Sequence, residues 1–160
     1  MKKAEIQEKT SYLLKATGLE NELPLPIEKV VQYLGFECHF YIPDKDIEDI
    51  TSAVSHLKKK IYVNQNNSKE LQRFSIARRI GNLVLHGCNQ DYIDQIESAD
   101  SPQEQEAEYF AENLLMPEPA FSTQWHKTQG NTDALSSHFG VSSLKIKQRA
   151  TLLGLLTAKL

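Results

Sequence analysis

Residues 71–86 place the tightest limit on how this chain can fold. Phe74, Ala77, Gly81 and Val84 recur at a 3-4-3 spacing, which marks one face of a helix. Ile76, Ile80 and Leu83 form a second apolar face. A helix that is apolar on most sides belongs inside a core, and Gly81 would let another backbone come close. The stripe left over holds Ser75, Arg78, Arg79 and Asn82. Two arginines in a buried helix need an account, because a buried charge is tolerated only when paired and hydrogen-bonded. Either their long stems carry the guanidinium groups to the surface, or they meet carboxylates in or beside a cleft.

The flanking segments read as elements packed around this helix. Residues 3–17 read as a helix with Ile6, Tyr12, Leu13 and Leu14 available for burial. After Pro24 and Pro26, a short helix carries Ile27, Val30, Val31 and Leu34 on one stripe and ends at Gly35. Residues 36–42 read as a strand, with Phe36, Cys38 and Phe40 on one side and Glu37, His39 and Tyr41 on the other. Residues 44–49 form an acidic loop. Residues 52–57 and 60–64 read as a hairpin with Lys58 and Lys59 near its turn. Ser68 is placed to cap the central helix. Residues 89–101 read as a polar loop, 103–116 as a helix stopped by Pro117, and the remainder as helices broken near Gly130 and Gly140.

Composition narrows the classes. A length of 160 residues fits one unit with a real core, and we expect a core over 25–117 and a helical extension over 118–160. The formal net charge of -3 gives no general attraction to nucleic acid. Cys38 and Cys88 form neither a CxxC pair nor a disulfide framework, so a reducing cytoplasm is the expected compartment. Glu5 and Glu8 interrupt the apolar run a signal peptide needs, and no stretch approaches the ~20 apolar residues of a membrane span.

Two segments together resemble the ImmA/IrrE metallopeptidases. The run from Arg73 through Phe74, Ala77, Gly81 and Leu83 to His86 is similar to that family's active-site helix, R-F-T-x-A-H-E-L-G-H-L-x-L-H. The run from Glu104 through Ala107, Phe110, Ala111, Leu114, Leu115 and Met116 to Pro117 resembles its E-x-x-A-x-x-F-A-x-x-L-L-M-P segment. The strand ending in Asn64 and the tail around Phe139–Ser142 and Leu153–Leu156 fit the same order. The resemblance implies an α+β, minimal zincin-like (gluzincin) fold. It has a small three-stranded sheet packed on a central helix, followed by C-terminal helices of helix-turn-helix type.

The chain departs from the family where the chemistry lies. There an HExxH motif sets two histidines at i and i+4 on one helical face to hold zinc, with the glutamate as general base. Here Arg78, Arg79 and Asn82 occupy those three positions. Arginine stays protonated and offers no lone pair, and an asparagine amide is a poor substitute for imidazole on zinc. The family's third ligand matches Glu104, with Glu106 as the neighbouring alternative register. His86 and Cys88 are poorly spaced for one ion, Cys38 and His39 point to opposite faces of a strand, and His56, His126 and His138 are isolated. No catalytic residue, metal ligand or cofactor is therefore expected. Arg78 or Arg79 is expected to pair with Glu104 or Glu106, a guanidinium replacing the dication.

The C-terminal helices raise a separate question. Leu135, Phe139 and Val141 would pack inward, Ser142 would cap the second helix, and Lys145, Lys147 and Arg149 are candidates for nucleic-acid contact. Three functions follow. The first is a pseudo-peptidase that binds a protein, which the resemblance points toward a repressor or a toxin. The acidic stretches 44–49, 91–100 and 104–112 would then face a basic partner. The second is a metallopeptidase with a rebuilt site. The third is a DNA-binding regulator using the C-terminal helices.

Overall fold

A computed structural model describes residues 1–45, 50–87, 92–95 and 101–156. Its helices are α1 (Lys3–Thr17), α2 (Ile27–Tyr33), α3 (Lys69–His86), α4 (Pro102–Leu115), α5 (Glu118–Lys127), α6 (Thr132–Phe139) and α7 (Ser143–Leu152). Its strands are β1 (Glu37–Tyr41), β2 (Ile50–Ser55), β3 (Lys60–Asn64) and β4 (Tyr92–Gln95). The fold is α+β, as expected. Among the described residues, no helix is long and apolar enough to cross a membrane.

Local chemistry sets the helix ends. Ser68, Ser101, Asn131 and Ser142 each accept a hydrogen bond from the backbone N–H three residues on, satisfying a donor that the first turn leaves open. Gly18 and Gly140 close α1 and α6 in the left-handed conformation that favours glycine. Pro102 opens α4, where its missing N–H costs nothing.

The sheet runs in the order β1-β3-β2-β4. β1 is parallel to β3, and β2 is antiparallel to both β3 and β4. The β2–β3 hairpin turns through Lys59, which takes a positive φ of 54°. The expected β1, β2 and β3 are all present, but residues 89–101 are not wholly a loop. Residues 92–95 pair with β2 from Tyr92 opposite Val54 to Gln95 opposite Ile50. An edge strand of four residues is made by its neighbour's open hydrogen-bonding row more than by its own pattern. The acidic residues 46–49, Cys88, and residues 89–91 and 96–100 lie outside the described residues.

α3 packs on the sheet with one side and on α4 with another. Ala77, Ile80, Ala107, Phe110, Ala111 and Leu114 are fully buried. At Gly81 the two helices come closest: a Cβ there would sit 3.1 Å from both Cα and O of Ala107. Phe121, Leu135, Phe139, Val141, Ile146 and Ala150 continue the same hydrophobic cluster into α5, α6 and α7. Leu135, Phe139 and Val141 point inward as the sequence predicts.

Candidate functional site at the α3–α4 crossing

The polar stripe of α3 faces the start of α4. Arg79 lies one residue beyond Arg78 on α3, and both guanidinium groups converge on one carboxylate oxygen. Arg79 Nη2 donates to Glu104 Oε2 at 2.8 Å, and Arg78 Nη2 donates to the same oxygen at 3.1 Å. The Arg79 side chain is 0% exposed and that of Glu104 11%. Burial strengthens such charge-assisted bonds, since little water competes for the carboxylate. Ser101 fixes the first turn of α4, its hydroxyl accepting from the backbone N–H of Glu104 at 3.1 Å. Of the two carboxylates expected as partners, Glu104 takes both arginines.

Glu106 belongs to a second, adjoining group. Its Oε1 lies 3.0 Å from His86 Nε2, and its Oε2 lies 2.7 Å from the α-amino group of Met1. Those two contacts, the amine's hydrogen bond first, hold the Glu106 carboxyl below its ordinary range, and Glu106 in turn raises the amine. His86 Nδ1 lies 3.3 Å from Asn82 Nδ2. Asn82 is fully buried, and its Oδ1 has no hydrogen-bond partner among the described residues. His86, poorly spaced from Cys88 to share a metal ion, lies between Asn82, one turn before it on α3, and Glu106 on α4. The i to i+4 spacing from Asn82 was the available signal.

Residues 36–151 match the IrrE N-terminal-like domain, a peptidase-type family. The chain belongs to that family. A solved structure described as a transcriptional regulator from Mycobacterium tuberculosis is similar to it over 92% of this chain, with 15% sequence identity and a TM-score of 0.68. The match spans 46% of that longer chain, so the likeness is one of fold over about half of the regulator. A comparison with curated proteins gives no match.

The IrrE-like fold implies a zinc ion where α3 and α4 meet, and the residues here do not fit one. Two permanent cations point at the carboxylate that would be a ligand. The third position holds a neutral amide. Among the described residues, no three His, Cys, Asp or Glu side chains are grouped to hold a metal. What the arrangement does is keep the Glu104 carboxylate fixed between two helices.

The C-terminal helices of this IrrE-like chain correct one expectation. Arg149 is not available to nucleic acid: it is 1% exposed and points into the protein. Its Nε donates to the Met116 carbonyl and its Nη2 to Asn113 Oδ1, both at 3.1 Å. Lys145 is half-buried, with Nζ 2.6 Å from Glu108 Oε1 and 4.2 Å from the centroid of the Phe74 ring. Lys147 alone of the three is exposed. The turn before α7 is held as well, Arg73 Nε donating to the Gly140 carbonyl at 3.0 Å. Three acids of the stretch 104–112 are paired within the protein, Glu104 with the arginines, Glu106 with His86 and Glu108 with Lys145.

Proposed function

We propose that this IrrE-like domain is a pseudo-peptidase that binds a protein partner without cutting it. One observation carries the reading: Arg78 and Arg79 both close on Glu104 where a metal ion and its general base would have to act. Hydrolysis of this type needs a Lewis acid and a proton acceptor at one point, and a guanidinium supplies neither. The surrounding packing is intact, from Gly81 against Ala107 to the capped start of α4. A scaffold kept with its chemistry replaced has a use in recognition. A repressor-type protein or a toxin is the partner class that suits such a scaffold, giving a regulatory or an immunity role. The regulator described above supports the regulatory version at the level of fold. Direct DNA contact through α7 has weak support, because only Lys147 of its three cations faces outward.

Metal titration with a restored variant tests this. Protein purified without chelator is expected to hold no stoichiometric zinc. Arg78→His, Arg79→Glu and Asn82→His together supply the missing ligands beside Glu104, and that variant is expected to bind about one zinc per chain. A protein captured by the wild-type chain should be recovered at full length. Stoichiometric zinc on wild-type side chains, or a shortened partner, would overturn the reading.

A further inference from the structure

A second recess lies away from the α3–α4 crossing. It is a cleft of about 680 Å³ between the first turn of α2, the end of β1 and the first two turns of α3. Phe40, near the end of β1, is the sheet's contribution to its wall. Its lining comes from positions 69, 72, 73 and 76 of α3. At ~100° per residue this face is turned away from positions 78 and 82, while Arg79, seven residues after Gln72, borders it.

The lining has an apolar part and a cationic part. Ile27, Ile76 and Phe40 provide the first, and Phe40 is 37% exposed although it ends the side of β1 that carries buried Phe36. Lys29, Lys69 and Arg73 provide the second, against Glu28 alone among the lining acids. This is a local reversal in a chain of net charge -3. Two cations elsewhere are paired, Arg79 with Glu104 and Lys145 with Glu108. Lys29 and Lys69 are exposed and have no ion pair among the described residues. Arg73 is pinned by two backbone carbonyls, Gly140 O and Phe139 O, and Glu70 one turn earlier partly offsets its charge. A cleft lined by one sign of charge attracts and orients a ligand of the other.

We propose that this cleft is where the protein partner docks, through a short segment in which acidic and apolar residues alternate. The apolar side chains would rest on Ile27, Phe40 and Ile76, and the carboxylates would meet Lys29, Lys69 and Arg73. The inference rests on the protein-binding reading above and adds the surface and the chemistry of the partner.

Fluorescence anisotropy with two labelled peptides of equal length tests it, one alternating Leu and Glu, the other Leu and Lys. The Leu/Glu peptide is expected to bind with a dissociation constant of roughly tens of micromolar at about 50 mM salt, weakening as salt rises. The Leu/Lys peptide should not bind. Lys29→Glu with Lys69→Glu should weaken Leu/Glu binding roughly tenfold or more. Phe40→Asp should weaken it with the cations intact. The three substituted side chains are exposed, and a thermal melt of each variant checks that the fold is kept. Equal binding of both peptides, affinity unchanged in the variants, or binding only of a small aromatic carboxylate would overturn the proposal. Capture of the full-length partner separates the two readings. A partner that wild-type and the Lys29→Glu/Lys69→Glu variant hold equally leaves the pseudo-peptidase standing and removes the cleft.

Discussion

Two arginines lie fully inside this protein, and they are held in opposite ways. Arg79 in α3 meets a carboxylate, Glu104, at 2.8 Å. Arg149 in α7 meets a backbone carbonyl and an amide oxygen, with no carboxylate at hydrogen-bond distance among the described residues. Arg79 joins two helices of the peptidase-like core at the point where chemistry would occur. Arg149 joins the C-terminal helices to the end of α4. The first pair is a charge-assisted bond between two helices. The second is a polar staple that uses the fork of a guanidinium to satisfy two acceptors. Burial lowers the Arg149 guanidinium below its ordinary range, opposed by Glu112. That is the behaviour of a cation whose partners are dipoles rather than a contacting anion.

The sharpest way to break the comparison is to remove Glu104. Glu104→Ala takes away the anion that both Arg78 and Arg79 contact, and should destabilise the fold by about 3–5 kcal/mol, as for other buried pairs broken from one side. Adding Arg79→Met should return much of that loss, because the charge goes with its partner. Urea unfolding of the two single variants and the double variant gives the coupling. Additive losses would mean that the two side chains do not act as a pair.

Arg149→Met is the next largest. It keeps the apolar stem and removes the donors to Met116 O and Asn113 Oδ1. Two buried acceptors then lose a partner, at a cost of roughly 2–3 kcal/mol. The same measurement checks it, and a loss below about 1 kcal/mol would indicate that water replaces the guanidinium.

These residues also show what was legible in the sequence. The arginine–carboxylate pair was, because burial of α3 follows from periodicity and burial of a charge demands a counter-charge. The choice between Glu104 and Glu106 was not, since it depends on how α4 is rotated against α3. Arg149 was misread as a surface cation because it sits in a run with Lys145 and Lys147. Its place three residues after Ile146 and beside Ala150, both fully buried, puts it on the inward stripe of α7. β4 was illegible for another reason: its pairing partner is some forty positions earlier, and nothing local records it. Clefts such as the one between α2 and α3 arise from the same long-range assembly, so unpaired lysines in the sequence could not announce it.

The smallest effect concerns Glu112, which stands between the two regions on α4. Burial raises its carboxyl above the ordinary range, outweighing the opposing pull of Lys145 and Arg149. The folded state thus holds this proton more tightly than the unfolded chain. The resulting stabilisation is complete below the unfolded carboxyl's value and is lost as pH rises through the folded one. At neutral pH, above the ordinary carboxyl range, that stabilisation is reduced. Glu112→Gln should therefore raise the melting temperature at pH 7 and leave it nearly unchanged near about pH 3, well below the ordinary carboxyl range. The gain should be larger in an Arg149→Met background, where one of the cations that offsets Glu112 is gone. An equal gain in both backgrounds would show that Arg149 answers only to the carbonyl and amide it touches, making the contrast with Arg79 complete.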